Sequence, residues 1–205
     1  MNHPAPVIRK GRKFDQVVEG ARDVFLRDGY EGASVDEIAR VAGVSKATLY
    51  SYFPDKRVLF MEFARQECMR QADTLESEID IDRPVPEVLR VVGLGFLRIV
   101  LSDFGRNMFR VCVAESARFP DLGQQFYETG PKLMRERMID FLELGIMRGE
   151  LKIDDVGLAA DQFPELCKAG VFHRLVFGID DQFTEDEIIH TVDGAIATFM
   201  ARYGV

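Results

Sequence analysis

The sequence predicts an all-α protein of about nine helices, in which a three-helix N-terminal unit with a helix-turn-helix precedes a larger helical body. Three observations carry this. Apolar residues recur at helical spacing along almost the whole chain, cap residues punctuate those runs, and no stretch alternates apolar and polar residues as a half-buried strand does. Residues 1–55 form the expected head and 56–205 the body, with the composition shifting between residues 55 and 60 from basic and small to acidic and rich in Phe and Met.

Each element has its own signal. Phe14, Val17, Val18, Ala21 and Phe25 line one face of a first helix that ends near "RDGYEG". Ser34, followed three residues later by Glu37, is a capping box opening "VDEIARVA", with Ile38 and Ala42 inward and Gly43 as its left-handed stop. Ser45 caps "KATLYSYF". A longer helix runs from Asp55 through Phe60, Ala64, Cys68, Ala72, Leu75 and Ile79. Val85, Leu89, Val92, Phe96 and Val100, then Phe104, Met108, Val111 and Cys112, mark two more, parted near Ser102 and Asp103.

"RFPDLGQQFYETGP" is expected to be irregular or a short helix, and Pro131 to start the next at its first-turn position. Met134, Met138, Phe141, Leu142 and Gly145 form that helix's buried side. Asp154 or Asp155 caps a stretch over 156–177 that Pro164 should bend or split. Thr184 with Glu187 is a second capping box, before a last helix whose apolar side runs from Ile188 to Tyr203.

Composition excludes several function classes. The 205 residues are 47% hydrophobic and 29% charged, which describes a chain able to bury a core rather than a disordered one. The basic start "MNHPAPVIRKGRKFD" has no apolar run behind it, and the longest apolar run, "VVGLGFL", stops at Arg98, so neither a leader nor a membrane span is read and the expected location is cytoplasmic. Cys68, Cys112 and Cys167 lack CxxC spacing and read as reduced thiols. His3, His173 and His190 lack metal-ligand spacing, so no metal or cofactor is expected. Residues 1–60 carry ten Lys or Arg against eight Asp or Glu, and the rest of the chain is acidic enough to bring the total to −8. A basic end on an acidic body is compatible with a head that docks a polyanion.

"VDEIARVAGVSKATLYSYF" has two short helices around a Gly-containing turn, the length and burial pattern of a helix-turn-helix. Leu49 and Phe53 should pack with Ile38, Ala42 and Val44, turning Ala47, Thr48 and Ser51 outward with Lys46 and Tyr50 beside them and Tyr52 on the far shoulder. Double-stranded DNA suits such a surface. Small Ala47 lets the helix enter the major groove, Lys46 can bond guanine acceptors, and Ser34, Thr48, Tyr50, Ser51, Tyr52 and Lys56 offer donors or charge to phosphates. The tail "RKGRK" would reach an adjacent groove. The same hairpin also occurs in proteins as pure packing.

At these residues the chain resembles the TetR family of bacterial transcriptional regulators, over "FLRDGYEGASVDEIARVAGVSKATLYSYFPDKRVLF" at 25–60. The resemblance implies that Ser34, Lys46, Ala47, Thr48, Tyr50, Ser51, Tyr52 and Lys56 stand at DNA-contacting positions, with Leu49 and Phe53 structural. "AESARFPDLGQQFYETGP" and "KAGVFHRLVFG" resemble the AefR-like C-terminal domain, which implies a helical dimerisation and ligand-binding half over about 84–203. It further implies that helices near 156–177 and 185–202 pair with their mates in a homodimer, with Phe172, Val192, Ile196 and Phe199 supplying apolar area beside Ala159, Ala160, Ala169, Gly170, Gly194 and Ala195.

Phe96, Phe104, Met108, Cys112, Phe126, Met134, Met138, Phe141, Phe163 and Cys167 are soft side chains that would suit a cavity for a small hydrophobic ligand, and each also fits an ordinary core. The expected function is a sequence-specific DNA-binding regulator, a ligand-responsive repressor acting as a homodimer on a pseudo-palindromic operator. An enzyme is not expected. No paired carboxylates or Cys-His arrangement is spaced for catalysis, and "GLGF" lies mid-helix rather than after a strand. A module that has lost DNA recognition is the remaining alternative, and the intact "SKATLYSY" argues against it.

Overall fold

Eleven helices follow one another in the computed structural model, which describes residues 11–117, 119–180 and 182–205. They are α1 (Arg12–Gly32), α2 (Val35–Val41), α3 (Lys46–Tyr52), α4 (Lys56–Glu78), α5 (Val85–Leu101), α6 (Asp103–Ser116), α7 (Pro120–Thr129), α8 (Pro131–Met147), α9 (Val156–Cys167), α10 (Phe172–Val176) and α11 (Glu185–Tyr203). The only β pairing among the described residues is an isolated bridge between Leu151 and Gly204.

The caps sit where residue chemistry puts them. Ser34, Ser45, Ser102, Asp155 and Thr184 each accept a backbone N–H from the first turn that follows. These bonds satisfy amides that have no intrahelical acceptor. Thr184 and Glu187 form a complete capping box. At Ser34 only half of the box forms: its hydroxyl accepts from the Glu37 amide, while the Glu37 carboxylate turns to Arg40 and Arg27.

Two helices exceed the expected nine. "PDLGQQFYET" is the regular helix α7, started by Pro120. The stretch over 156–177 divides, but after Cys167 rather than at Pro164, which stays inside α9. The break lies around Gly170, whose φ of 79° favours a residue without Cβ.

The chain separates into two compact units, Met1–Glu67 and Cys68–Val205, with the division inside α4. The reason is packing. Leu59, Phe60, Met61, Phe63 and Ala64 are all buried, and Phe60 and Phe63 join Phe25 in an aromatic cluster with centroids 5.0–5.9 Å apart. In the first unit α1 packs on α2 and α3 through Phe14, Val17, Val18, Ala21, Val24 and Phe25. They approach closely at Gly20, where an added Cβ would lie 2.7–2.8 Å from the Cβ, Cα and N of Ala42.

In the second unit α5, α8, α9 and α11 share a core that includes Val88, Leu89, Leu142, Phe163, Phe199 and Tyr203. Here the dimer expectation needs correcting. Val192 and Phe199 are 0% and 1% exposed, Val192 against Gly93 of α5 and Phe199 against Phe163 and Tyr203. Their apolar stripe is the inward side of α11; the outward side carries Asp193, Gly194, Ala197, Thr198 and Ala201. Ile196 and Phe172 are half-buried.

Gly20→Val should lower the unfolding free energy by about 1–3 kcal/mol. The gain in helix propensity, under about 1 kcal/mol, does not offset a clash with backbone atoms that no rotamer change can relieve. A lower urea midpoint at unchanged slope is the expected result.

Candidate nucleic-acid interface

The reading head is two seven-residue helices held by what lies beneath them. Gly43 takes φ 64° in the turn, and the amides of Gly43 and Val44 return to the carbonyls of Arg40 and Ala39 at 3.2 and 3.0 Å. Ser45 then caps α3 through the Thr48 amide at 3.1 Å. Leu49 and Phe53 are wholly buried and anchor α3 from below, with the Phe53 ring 5.1 Å from Phe14. Since positions one and two residues from these anchors point away from the core, α3 turns the rest of its surface outward.

Lys46, Ala47, Tyr50 and Ser51 are exposed, with Tyr50 at 48%, and Ser34 is exposed at the head of α2. Thr48 and Tyr52 are half-buried. Tyr52 meets Phe14 edge-on at 6.0 Å. Several polar groups on this face already hold partners. The Lys46 ammonium pairs with Asp36, the Thr48 hydroxyl shares a 2.9 Å bond with Ser45, and Ser51 donates to the Thr48 carbonyl at 2.6 Å. Lys56 stands apart from the exposed face: half-buried, it donates to the carbonyls of Tyr30 at 2.8 Å and Ala33 at 3.2 Å. In the basic tail, Arg9 and Lys10 lie outside the described residues, while Arg12 and Lys13 open α1 on its exposed side.

Sequence reading missed the ionic frame around this head. Glu37 receives both arms of Arg40 at 2.8 Å and one from Arg27 at 3.3 Å, and Arg27 also forks onto Asp28 at 2.7 Å. Arg40 first, then Arg27, hold the Glu37 carboxyl down to about 2. The signal was present as Glu37 and Arg40 three apart on one helix, but the capping reading had claimed the carboxylate. Arg22 of α1 also bonds Glu67 of α4 at 2.9 Å, with Glu67 only 6% exposed.

The candidates of the second unit fall into three groups. Met138, Phe163 and Cys167 belong to its core, with Phe96, Met134 and Phe141 packed at the core's edge. Phe104, Met108 and Cys112 lie buried along one side of α6, where the Cys112 thiol meets the Met108 sulfur at 3.6 Å. Phe126 is half-buried on α7. Burial pushes the Cys112 and Cys167 thiols up to about 12, far from the range of a reactive thiolate. Among the described residues no group of three or more His, Cys, Asp or Glu could hold a metal ion, and no helix is long and apolar enough to cross a membrane.

A capped two-helix hairpin, anchored by Leu49 and Phe53 and followed by a long helix, has the geometry of a helix-turn-helix, the motif of many DNA-binding regulators. Comparison with known proteins gives the family. The profile for "Bacterial regulatory proteins, tetR family" matches residues 17–63, and that for "AefR-like transcriptional repressor, C-terminal domain" matches 87–205. The transcriptional repressor AcnR of Corynebacterium glutamicum is 37% identical over 181 residues, covering 88% of this chain and 90% of that protein. AcnR of Corynebacterium efficiens matches at 38% over 60 residues, so there the chain spans 29% of itself and only 32% of the relative. Among solved structures, a TetR-family regulator from Mesorhizobium loti superposes with TM-score 0.84 at 26% identity, covering 96% of this chain and 99% of that one. The flavonoid-responsive regulator FrrA does so with TM-score 0.71 at 33% identity, covering 95% and 98%. The chain belongs to the TetR family of DNA-binding transcriptional regulators, with an AefR-like C-terminal domain.

The Glu37 frame makes the head's stability depend on acid. Its folded pKa is depressed from 4.5 to about 2, so the contribution is complete above roughly pH 5 and is lost as pH falls toward 2. Urea unfolding of wild type and Glu37→Gln should therefore differ by a constant amount from pH 5 to 7. Below pH 4 the two midpoints should converge.

Proposed function

We propose that this chain is a ligand-responsive repressor, acting in the cytoplasm as a homodimer that sets two α3 helices on the halves of a pseudo-palindromic operator. The observation that carries the proposal is the exposed face of α3, Lys46, Ala47, Tyr50 and Ser51, standing on the buried anchors Leu49 and Phe53. Ala47 and Lys46 would enter the major groove, while Ser34, Thr48, Tyr50, Ser51 and Tyr52 would reach phosphates on either side, and Lys56, half-buried behind that face, would add its charge from the base of the head. We assign DNA binding to residues 1–55, which with the first turns of α4 make up the first compact unit, and ligand binding and dimerisation to 56–205.

The dimer would form on the outward side of α11, where Gly194, Ala197 and Ala201 permit close approach, with Ile196 and, on α10, Phe172 at its margins. Ligand responsiveness is supported by the similarity to FrrA, a regulator named for its response to flavonoids, and by the soft side chains Phe104, Met108 and Cys112 along α6. A hydrophobic ligand that stabilised one conformer would shift α4 and with it the separation of the two reading heads. Losing register at one half-site removes the effective concentration that the first half-site provides.

Binding of the purified chain to DNA flanking its own gene, against scrambled DNA over a salt series, tests this directly. Two chains per site and a salt-sensitive preference for the specific duplex are expected, with Tyr50→Ala weakening the complex about 10-fold. Equal, weak binding to both duplexes would count against an operator there. Ala197→Glu places a carboxylate on the outward side of α11 and should turn the dimer into a monomer in sedimentation, with operator affinity down by about 100-fold or more.

A further inference from the structure

We infer that Arg22 and Glu67 are positioning residues, a pair that fixes the direction in which α4 leaves the DNA-binding head and so sets which half-site spacing two heads accept. The inference rests on the proposed homodimer on a two-part operator. Among the described residues Glu67 is the one charged side chain that is buried, at 6% exposure. Its carboxylate accepts the Arg22 Nε–H at 2.9 Å, joining α4 to α1 across 45 positions of sequence.

The pair continues a series of contacts between the same two helices. Arg22 lies one turn before Phe25 on α1, and Glu67 lies one turn after Phe63 and two after Phe60 on α4, so each set shares a face. Phe25 meets Phe60 at 5.0 Å and Phe63 at 5.4 Å. One turn back along α1 thus answers one turn on along α4, and the ion pair comes last, at the final residue of the first unit.

The two kinds of contact constrain α4 differently. Apolar burial has no preferred direction, so the ring cluster alone would let α4 rock over Phe25. A hydrogen-bonded ion pair is directional, and a buried carboxylate that loses its cation is left charged in a poorly solvated place. Rocking far enough to break the Arg22 bond is therefore opposed. Such a pair is a poor source of net stability, because apolar residues of similar volume often hold a fold as well or better. What it adds here is direction. α4 continues as one helix from Lys56 to Glu78, so the direction set at Glu67 is the one it carries out of the head.

Full-length wild type and the double variant Arg22→Met/Glu67→Met, each shown folded by circular dichroism, are titrated with three kinds of duplex to test this. These are the operator, the operator lengthened or shortened by one base pair between its halves, and a duplex with one half-site. One base pair moves a half-site by about 3.4 Å and turns it by roughly 34°. The double substitution removes one charge of each sign, so net charge is unchanged. Wild type should bind the altered spacings about 100-fold more weakly than the operator, and the double variant only about 5-fold more weakly. The variant's affinity for the operator itself should fall about 10-fold, and for the single half-site stay within about 2-fold of wild type. Glu67→Gln, whose carbonyl still accepts the Arg22 N–H, should keep most of the wild-type spacing penalty. A double variant with the full wild-type penalty would overturn the inference, and so would a wild type indifferent to spacing. A single-half-site affinity that falls as far as that for the operator would do the same, since the pair would then serve the head's own fold. Should the double variant not fold, Glu67→Met alone carries the comparison, with Arg22 left in the field of Glu19 and Asp23 on its own helix. A wild type that binds no duplex specifically, or sediments as a monomer, rejects the dimeric operator reading itself.

Discussion

The reading head depends on one close approach, that of α1 and α2 at Gly20 and Ala42. With a hypothetical Cβ on Gly20 only 2.7–2.8 Å from three Ala42 atoms, the two helices meet almost backbone to backbone. Ala42 is the C-cap of α2 and begins the turn, so this contact locates the turn against α1. Once it is placed, Gly43 reverses the chain at φ 64°, Ser45 restarts it, and Leu49 and Phe53 have one apolar floor to fall on. A bulkier residue at position 20 would tilt the hairpin and re-aim every side chain on α3. The exposed surface is thus determined from underneath, by contacts that never touch a ligand.

The same dependence explains what could be read from the sequence. Ser34, Ser45, Gly43, Leu49 and Phe53 act within a few residues of themselves, and their roles follow from side-chain chemistry and helical period, so the head was legible residue by residue. Lys56 and Glu37 were not. Each finds its partners across the fold, Lys56 at the far end of α1 and Glu37 on Arg27 ten residues back, and no local rule reports such distances. In the second unit, the period of α11 identified an apolar stripe correctly, but an apolar stripe does not state what covers it. Val192 and Phe199 turn out to serve their own chain, and the outward side is the one marked by Gly and Ala. The place where α9 ends was missed for a related reason. Pro164 costs one backbone hydrogen bond, and the burial of Ala160, Phe163 and Cys167 in the core carries the helix past it to Cys167, with the left-handed Gly170 beyond.

The electrostatics of the head show what binding a polyanion must exchange. The whole chain carries −8, yet its first 60 residues are net positive, and a local field rather than the total governs docking. Within that region the frame of Arg27, Asp28, Glu37 and Arg40 is internally paired, so much of its charge braces α1 against α2. Lys46 is the cation on the leading edge of α3, and it is held by Asp36 of α2. Contact with DNA would trade this carboxylate for a guanine or phosphate acceptor. In the free protein, Asp36 both pre-positions Lys46 and places a negative charge close to where a phosphate would lie.

The hydroxyls can be ranked on the same grounds. Ser34 accepts from the Glu37 amide and keeps its own proton, so it can donate outward without giving up its cap. Ser51 has already spent its proton on the Thr48 carbonyl and must break a 2.6 Å bond before it can donate elsewhere. Thr48 shares its hydroxyl with Ser45 and sits half-buried, and Tyr52 is half-buried against Phe14. Tyr50 combines 48% exposure with a phenol that bonds nothing among the described residues, and its ring is carried on a helix pinned one residue away by Leu49. A donor that is both uncommitted and held in place gives up little on binding. Of the hydroxyl groups on α3, Tyr50 is therefore the one whose contact with DNA would appear most fully as affinity.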